Sequence, residues 1–237
     1  MTTIVVIPAR NEADNIEEVV SRVVSRGYRC IVVDDGSNDG TGILTYSRGA
    51  YNVRTGGVGI ALATIYGMQE ALHRGASTVV TMDAGLSHYP VDIPQMLVAI
   101  NDGADMVIGS RFCKNGLYIG RWHRKLLSRL YASVMNFSQR GASYKDWTSG
   151  FRAYRTEVIQ YLLSLSYTAK GHAWQAETLA RAGEKGFRIK ETPITYRAGD
   201  SSFSWKSAQE ALVVQSAVMH HMGGVGERES SHSVTHL

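Results

Sequence analysis

The sequence predicts an α/β protein with a mostly parallel central sheet flanked by helices. Two observations carry this prediction: apolar, β-rich runs alternate with amphipathic segments in the first half of the chain, and each predicted strand ends in polar residues. Strands separated by helices form right-handed crossovers and pair in parallel. With 237 residues, of which 44% are hydrophobic and 19% charged, the chain can bury the core of one such domain.

The first half of the chain shows alternating strand and helix patterns. Thr3–Ile7 and Cys30–Val33 are short apolar runs, which are typical of parallel strands covered on both faces. Between them, an isoleucine and four valines at positions 16, 19, 20, 23 and 24 share one face of a helix that ends at Gly27. The elements predicted next are a helix to about Arg48, a helix over 59–74, strand Ser77–Met82, a helix over 93–100 and strand Asp105–Ile108.

The pattern changes after residue 110, where a loop over 112–121 is predicted. The later predicted elements are helix Lys125–Phe137, strand Phe151–Arg155, helices over 156–165 and 172–185, strand Phe187–Thr195 and helix Ser204–His221. Because no linker composition separates the two halves, residues 1–222 are predicted to form a single domain. The polar stretch 223–237 opens with glycines and is predicted to be a disordered tail.

Charge and cysteine content restrict the function classes. The 25 Lys and Arg exceed the 21 Asp and Glu by only four charges and are dispersed, which fits a small anionic substrate or an anionic membrane face and argues against nucleic acid. Cys30 and Cys113 have no metal-ligand or redox spacing, which indicates a reducing compartment. No apolar window reaches 18 residues and no signal-peptide pattern is found. We therefore expect a cytoplasmic protein, at most peripheral at the inner membrane face.

Five polar segments lie in the first half of the chain: four follow the predicted strands, and the glycine-rich one precedes the helix predicted over 59–74. Ligands of open parallel sheets bind at the carboxyl ends of the strands, so the five together predict a cleft. Taken alone, an Asp-Asp-Gly-Ser segment is ordinary turn chemistry. The glycine-rich segment lacks the third glycine of the dinucleotide fingerprint and does not follow the first strand, which argues against a dinucleotide-dependent oxidoreductase. The five segments are Pro8–Glu12, Asp34–Ser37, Arg54–Gly59, Asp83–His88 and Gly109–Arg111.

The order and content of these motifs resemble glycosyltransferase family 2 and, within it, the dolichyl- and polyprenyl-phosphate sugar transferases. The resemblance extends over about residues 3 to 212. The matching motifs are Val6–Glu12, Val32–Thr41, Met82–Ala84 with Ser87, His88 and Pro90, Ile108–Arg111, Asp146–Arg155, Gln175 with Glu177, and Glu191–Ile194.

This resemblance implies the GT-A nucleotide-diphospho-sugar transferase fold and an inverting enzyme. Such an enzyme moves a sugar from GDP-mannose, or from a UDP- or dTDP-hexose, to an acceptor. The departing nucleoside diphosphate carries negative charge, so the site needs cations or oriented donors and a carboxylate that takes the acceptor proton. A polyprenyl phosphate is the favoured acceptor. A protein or glycan acceptor and a catalytically silent nucleotide-sugar-binding protein stay open as alternatives.

The resemblance also implies a role for each matching position. Asp146 is implied to be the catalytic base. Asp83 is implied to be the first acid of the Asp-x-Asp motif, to take part in catalysis and to bind a metal ion. The implied donor-binding residues are Pro8, Ala9, Arg10, Glu12, Asp34, Asp35, Arg54, Gly57, Gly59, Asp83, Ala84 and Gly85. The implied phosphate- and acceptor-binding residues are Ser87, Arg111, Trp147 and Arg152.

Two positions depart from the family pattern. Gly85 replaces the second acid of Asp-x-Asp, so a Mg²⁺ or Mn²⁺ ion would depend on Asp83 and on substrate phosphates. Relatives often carry Gly-x-Ser-Lys after the last strand, where this chain has Gly199-Asp200-Ser201-Ser202 and lacks the lysine. The two departures are the reason that the alternatives of a different acceptor and of a silent protein stay open.

Overall fold

The computed structural model describes residues 2–139, 143–169 and 171–199. The described elements are β1 (Thr3–Ala9), α1 (Ala13–Val24), β2 (Arg29–Asp35), α2 (Thr41–Ser47), β3 (Tyr51–Thr55), α3 (Ile60–His73), β4 (Thr78–Thr81), a 3-10 turn (Pro90–Asp92), α4 (Ile93–Asn101), β5 (Met106–Ser110), β6 (Leu117–Ile119), α5 (Trp122–Ser138), β7 (Arg152–Arg155), α6 (Thr156–Leu163), α7 (Trp174–Glu184), β8 (Ile189–Pro193) and β9 (Thr195–Arg197). The predicted helix Ser204–His221 and the predicted tail lie outside the described residues.

Seven strands form the central sheet in the order β3-β2-β1-β4-β7-β5-β8. All neighbours pair in parallel except β7, which runs antiparallel to both β4 and β5. Arg152, the first residue of β7, stands opposite Thr81 at the end of β4 and opposite Ile108 in β5. The reversed strand therefore begins at the carboxyl edge of its neighbours, and the predicted mostly parallel α/β sheet is confirmed.

A second, two-stranded sheet pairs β6 with β9 and was not predicted. Its cause lies at Ile194, which is 2% exposed. The Ile194 amide donates to the carbonyl of Ser110, and its own carbonyl accepts from the amide of Leu117. The chain thus changes sheets at Ile194, and the strand predicted over Phe187–Thr195 is divided into β8 and β9.

The core lies on both faces of the large sheet, because successive side chains of a strand point to opposite faces. Ile4 and Val6 of β1 pack in one apolar cluster with residues of α3, α6 and α7. Val5 and Ile7 pack in the other cluster with residues of α1 and α4. This double coverage explains why β1 is a continuous apolar run. Within the described residues, no helix has both the length and the apolarity that are needed to cross a bilayer.

The contact between α3 and β1 leaves no space for a side chain at Gly67. A methyl group there would overlap Val6 and would lie 2.9 Å from Val33 Cγ2. We expect Gly67→Ala to lower the free energy of unfolding by about 1–3 kcal/mol, since overpacked cores strain the backbone. Chemical denaturation would measure the change. Gly56→Ala, where the space around the new methyl group is open, should stay near wild type; equal losses in both variants would contradict the packing explanation.

Candidate active site

Hydrogen bonds join the segments that follow β1 and β2, and three of them involve Asn11 and Glu12. The Asn11 amide donates to Ser37 Oγ (3.0 Å), the Asn38 amide donates to Asn11 Oδ1 (3.1 Å), and the Glu12 amide donates to Thr41 Oγ1 (2.9 Å). Neighbouring parallel strands bring these loops together at the carboxyl edge of the sheet. These hydrogen bonds fix the two loops relative to each other at the predicted nucleotide site.

Asp34 is a buried carboxylate with one hydrogen-bonded oxygen. Its Oδ1 accepts from the Ser37 amide at 2.8 Å, whereas Oδ2 has no hydrogen bond within the described residues. The guanidinium of Arg54, mostly exposed, lies 3.5 Å from Oδ2 and donates to the Ser37 carbonyl. Because buried acceptors are normally satisfied, this unpaired oxygen is suited to a donor group brought by a ligand.

Asp35 holds the glycine-rich loop that follows β3. Its carboxylate accepts from Thr55 Oγ1 at 2.6 Å and from the amides of Val58 and Gly59 at 2.7 and 2.8 Å. Burial alone would raise the pKa of Asp35, but these hydrogen bonds outweigh it and hold the pKa below its usual range. Gly59 has a φ of 90°, which favours glycine. The loop shape is therefore set by Asp35.

Asp83 follows β4, with 37% of its side chain exposed. Its backbone amide donates to Nδ1 of His88 at 3.3 Å, so the buried ring is an acceptor there. Burial lowers the pKa of His88, which keeps the ring neutral, and the 3.4 Å approach to Asp83 Oδ2 is therefore not an ion pair. His88 packs against Phe151 and Tyr196 with ring centroids 5.0 and 5.2 Å apart. His88 thus orients the backbone at Asp83.

Glu12 faces the position of the missing second acid. A side chain at Gly85 would begin 3.9 Å from Glu12 Oε1 and 4.0 Å from Oε2. In the sheet, β1 lies between β2, which contains Asp34, and β4, which precedes Asp83; Glu12 follows β1. The three acids therefore lie at the carboxyl ends of three adjacent strands, on one edge of the sheet.

Arg111 and Asp146 form a buried ion pair beside this edge. Nε and Nη2 of Arg111 donate to Oδ2 and Oδ1 of Asp146 at 2.7 and 2.6 Å, and the Arg111 amide donates to Oδ2 at 3.0 Å. Burial alone would raise the pKa of Asp146, but the Arg111 guanidinium holds it below its usual range. Nη1 of Arg111 has no hydrogen-bond partner in the part of the chain that the structure describes. The pair thus fixes the position of a mostly buried cation beside the edge of the sheet.

Arg111 and Asp83 belong to the same site. Tyr196 of β9 lies with its ring centroid 5.1 Å from the Arg111 guanidinium carbon, and the charges of both Asp83 and Arg111 act on the pKa of its hydroxyl. Burial is the main cause that raises this pKa. The Tyr196 ring also packs against His88, whose Nδ1 lies 3.4 Å from Asp83 Oδ2, so Tyr196 connects the surroundings of Arg111 with those of Asp83.

Comparison with known proteins decides the family. The profile of glycosyl transferase family 2 matches residues 4–163, more than half of the chain. The chain belongs to glycosyl transferase family 2. It is 35% identical to a polyprenol monophosphomannose synthase of Mycolicibacterium smegmatis over 89% of this chain and 84% of the relative. It is 33% identical to an undecaprenyl-phosphate mannosyltransferase of Micrococcus luteus over 90% of this chain and 92% of the relative.

The same fold is found in glucosyl-3-phosphoglycerate synthase of Mycobacterium tuberculosis bound to UDP. The TM-score is 0.72 at 21% identity, over 94% of this chain and 80% of that chain. Other structures of that protein contain UDP with Mn²⁺ or with Mg²⁺. The family 2 chain is therefore a glycosyltransferase with the GT-A fold, as the sequence motifs predicted.

Three of the predicted site residues lie where they cannot contact a substrate directly. Arg152 is fully buried, and its guanidinium donates to the carbonyls of Trp147, Ser149 and Gln175, which corrects the prediction that it binds phosphate. Trp147 is 1% exposed and donates from its indole to Asn136, which corrects its predicted stacking on the acceptor.

Asp146 is the third of these predicted site residues, and the question for it is whether it can accept a proton. Both of its oxygens accept hydrogen bonds from Arg111, and its side chain is fully buried. A general base must reach the acceptor proton and have an oxygen available to take it. In this family 2 site neither oxygen of Asp146 is unengaged, and its contacts are those of a residue that positions Arg111; the role as a base stays a prediction.

The remaining predicted residues lie along the edge between β3 and β5. Arg10 is exposed and lies 3.5 Å from the position of a side chain at Gly57, whereas Ala9 and Ala84 are buried beneath the loops. Ser87 is 9% exposed beside Tyr196. Sequence reasoning did not assign Tyr196, because it lies in a three-residue strand whose pattern gives no signal. The roles of all these residues stay predictions.

Proposed function

We propose that the chain transfers a sugar, with inversion, from a nucleotide-diphosphate sugar to a polyprenyl phosphate. The observation that carries the acceptor class is the Arg111–Asp146 pair. A hydroxyl acceptor needs a base, and Asp146, the base that the resemblance implies, is engaged by Arg111 through both of its oxygens. A phosphate monoester has a second pKa near 6, so its attacking oxygen is already anionic and needs a cation instead. The mannosyltransferase names of the relatives support the same class.

The donor would lie across the loops of β1, β2 and β3. Asp34 Oδ2 would accept a hydrogen bond from the nucleobase, next to Arg54. The Asp35-held glycine loop would bring backbone amides close to ribose or diphosphate, since glycine lets the backbone approach. Attack by the acceptor on the face opposite the departing diphosphate would invert the anomeric carbon. Arg111 would hold the acceptor oxygen in line by charge-assisted hydrogen bonds.

The residues at Asp83 fit a divalent cation that is shared with the substrate. Within the described residues no group of three or more His, Cys, Asp or Glu side chains forms a metal site. Mg²⁺ is commonly held by one or two carboxylates together with substrate phosphates, and Asp83 with nearby Glu12 meets that requirement. When bound there, the ion would neutralise charge on the leaving diphosphate. Asp83 would hold it, and Gly85 contributes no ligand.

One face of α5 supports a membrane-bound acceptor. Trp122, Leu126, Leu130 and Phe137 are 75%, 49%, 54% and 89% exposed and recur at helical spacing along this helix. Exposed basic side chains, Lys125 and Arg129, flank the stripe. An apolar stripe with basic flanks binds the surface of an anionic bilayer. We infer that α5 lies on the membrane that carries the lipid acceptor, which makes the protein peripheral at the cytoplasmic face.

Replacement of Leu126 and Leu130 by glutamine should reduce binding to phosphatidylglycerol vesicles by at least about ten-fold, because each leucine contributes roughly 1.5–3 kcal/mol when it is buried. Vesicle co-sedimentation would measure binding. Ile43→Gln is the matched control, since Ile43 is 77% exposed on α2. If the control loses as much binding as the double variant, α5 is not the membrane surface.

A transfer assay tests the proposed function. Purified protein is incubated with radiolabelled GDP-mannose, UDP-glucose or dTDP-glucose, Mg²⁺ or Mn²⁺, and one of three acceptors: undecaprenyl phosphate, undecaprenol or a free oligosaccharide. We expect label in the lipid only when the phosphate is present. Transfer to the oligosaccharide would establish the alternative acceptor. Tight nucleotide binding without turnover by any donor would establish the silent alternative.

A further inference from the structure

A narrow pocket opens beside Asp83, between the start of α7 and the end of β4. Its polar lining includes side chains that the proposed function has not used. The lining residues that matter here are Thr81, Asp83, Gly150, Trp174 and Gln175. Gly150 makes the pocket possible, because a side chain there would begin 3.2 Å from Asp83 Oδ1 and 3.5 Å from Gln175 Nε2.

Two buried polar atoms at the start of α7 have no hydrogen-bond partner within the described residues. They are the indole Nε1 of Trp174 and Oε1 of Gln175, in side chains of residues that are 2% and 7% exposed. A buried donor or acceptor without a partner is costly, and native proteins have few of them. Both residues line the same pocket, so a polar ligand group that enters it is a candidate partner for these two atoms.

Contacts on both residues fix the Trp174 ring and the backbone of Gln175. The Trp174 ring packs edge-on against Tyr167, with centroids 5.8 Å apart. The backbone carbonyl of Gln175 accepts from Nη1 of buried Arg152 at 2.6 Å. Arg152 therefore fixes the first turn of α7, and the two unpaired atoms belong to rigid parts of the fold rather than to exposed loops.

We propose that Trp174 and Gln175 recognise a hydroxyl group of the donor sugar. A hydroxyl is both donor and acceptor, so it can accept from the Trp174 indole and donate to Gln175 Oε1 at once. Asp83 lies at the same pocket and, in the proposed function, beside the donor diphosphate, which is where the attached sugar must be. The inference rests on the proposed function and adds the residues that select the sugar.

The test compares a nucleotide sugar with its bare nucleotide. Binding of GDP-mannose and of GDP, and of UDP-glucose and of UDP, is measured by calorimetry in wild type, Trp174→Phe and Gln175→Met. We expect each variant to weaken binding of the preferred nucleotide sugar about ten-fold, the effect of one buried hydrogen bond. Binding of the bare nucleotide should change less than about two-fold, since it lacks the sugar.

Trp147→Phe and Gln139→Met are the matched controls. Both are buried, but their side chains have partners, Asn136 and Glu184, and neither residue lines the pocket. They should leave the ratio of sugar-nucleotide to nucleotide affinity unchanged. As a check on folding, circular dichroism and nucleotide binding identify any variant that fails to fold. A donor analogue that lacks the recognised hydroxyl should bind wild type and Trp174→Phe equally.

Three outcomes separate the possibilities. If wild type gains affinity from the sugar and the variants keep that gain, the pocket does not bind the sugar and the inference is overturned, while the proposed function stands. If the variants only change the melting temperature, the pocket holds an internal water and the inference is again overturned. If wild type binds neither nucleotide sugar nor nucleotide, the proposed function itself fails.

Discussion

Asp146→Asn is expected to lower the free energy of unfolding by about 3–5 kcal/mol, because it leaves the buried Arg111 cation without its counter-charge. The same change should displace the guanidinium and reduce sugar transfer, with donor binding almost unaffected. Urea denaturation would measure stability. Asp105→Asn is the matched control, since its partner Arg188 is 70% exposed and an exposed ion pair adds little stability.

The direction of the Asp146 pKa shift determines how the stability loss in Asp146→Asn depends on pH. Because the folded-state pKa of Asp146 is lowered, its stabilisation is complete above the unfolded value of about 3.9 and is lost as the pH falls towards the folded pKa. The difference between wild type and Asp146→Asn should therefore be full at neutral pH and shrink below about pH 4. A difference of less than 1 kcal/mol at neutral pH would show that the pair does not hold Arg111.

Asp83→Asn is expected to reduce the rate of sugar transfer roughly 100-fold or more, because the loss of one preorganised charged or polar group at a reacting centre has an effect of this size in enzymes. The side chain is 37% exposed, so stability should change by no more than about 0.5 kcal/mol. Steady-state transfer of labelled sugar would measure the rate. Binding of Mn²⁺ in the presence of GDP or UDP, followed by electron paramagnetic resonance, should weaken in parallel.

The control for this experiment is Asp102→Asn, which removes an exposed carboxylate beyond the end of α4. It should leave both transfer and Mn²⁺ binding at wild-type levels. If Asp83→Asn retained full transfer, the chemistry would not take place at the end of β4. If it lost transfer but kept Mn²⁺ binding, the carboxylate would act on the substrate directly.

Most of the large sheet was predictable because its strands are buried on both faces. The β-rich segments Thr3–Ile7 and Ser77–Met82, which were predicted as strands, lie within or around β1 and β4. The small sheet was not predictable, since β6 and β9 have three residues each and pair only because Ile194 transfers the chain between sheets. Such a change depends on long-range hydrogen bonds, which no local pattern encodes.

The active-site edge was predictable, but the contacts within it were not. Motif order brought Asp34, Asp83 and Arg111 to one edge, as parallel strands must. The burial of Arg152 and Trp147 could not be read from the sequence, because the same residue types bind phosphates and sugars in open clefts. The engagement of Asp146 by Arg111 joins residues 35 positions apart, and only the fold brings them within hydrogen-bond distance.

The segment between β5 and β7 lies outside the large sheet. Its two ends, near Ser110 and Arg152, are joined by hydrogen bonds. The Gly109 amide donates to the carbonyl of Phe151 at 2.8 Å, and Ser149 Oγ donates to the carbonyl of Gly109 at 2.6 Å. The segment between β5 and β7 includes α5 but none of the loops that follow β1 to β4. Exchange of residues 112–145 with the matching segment of a relative should therefore change the acceptor preference and leave the donor preference unchanged. In this way one fold can use different lipid acceptors.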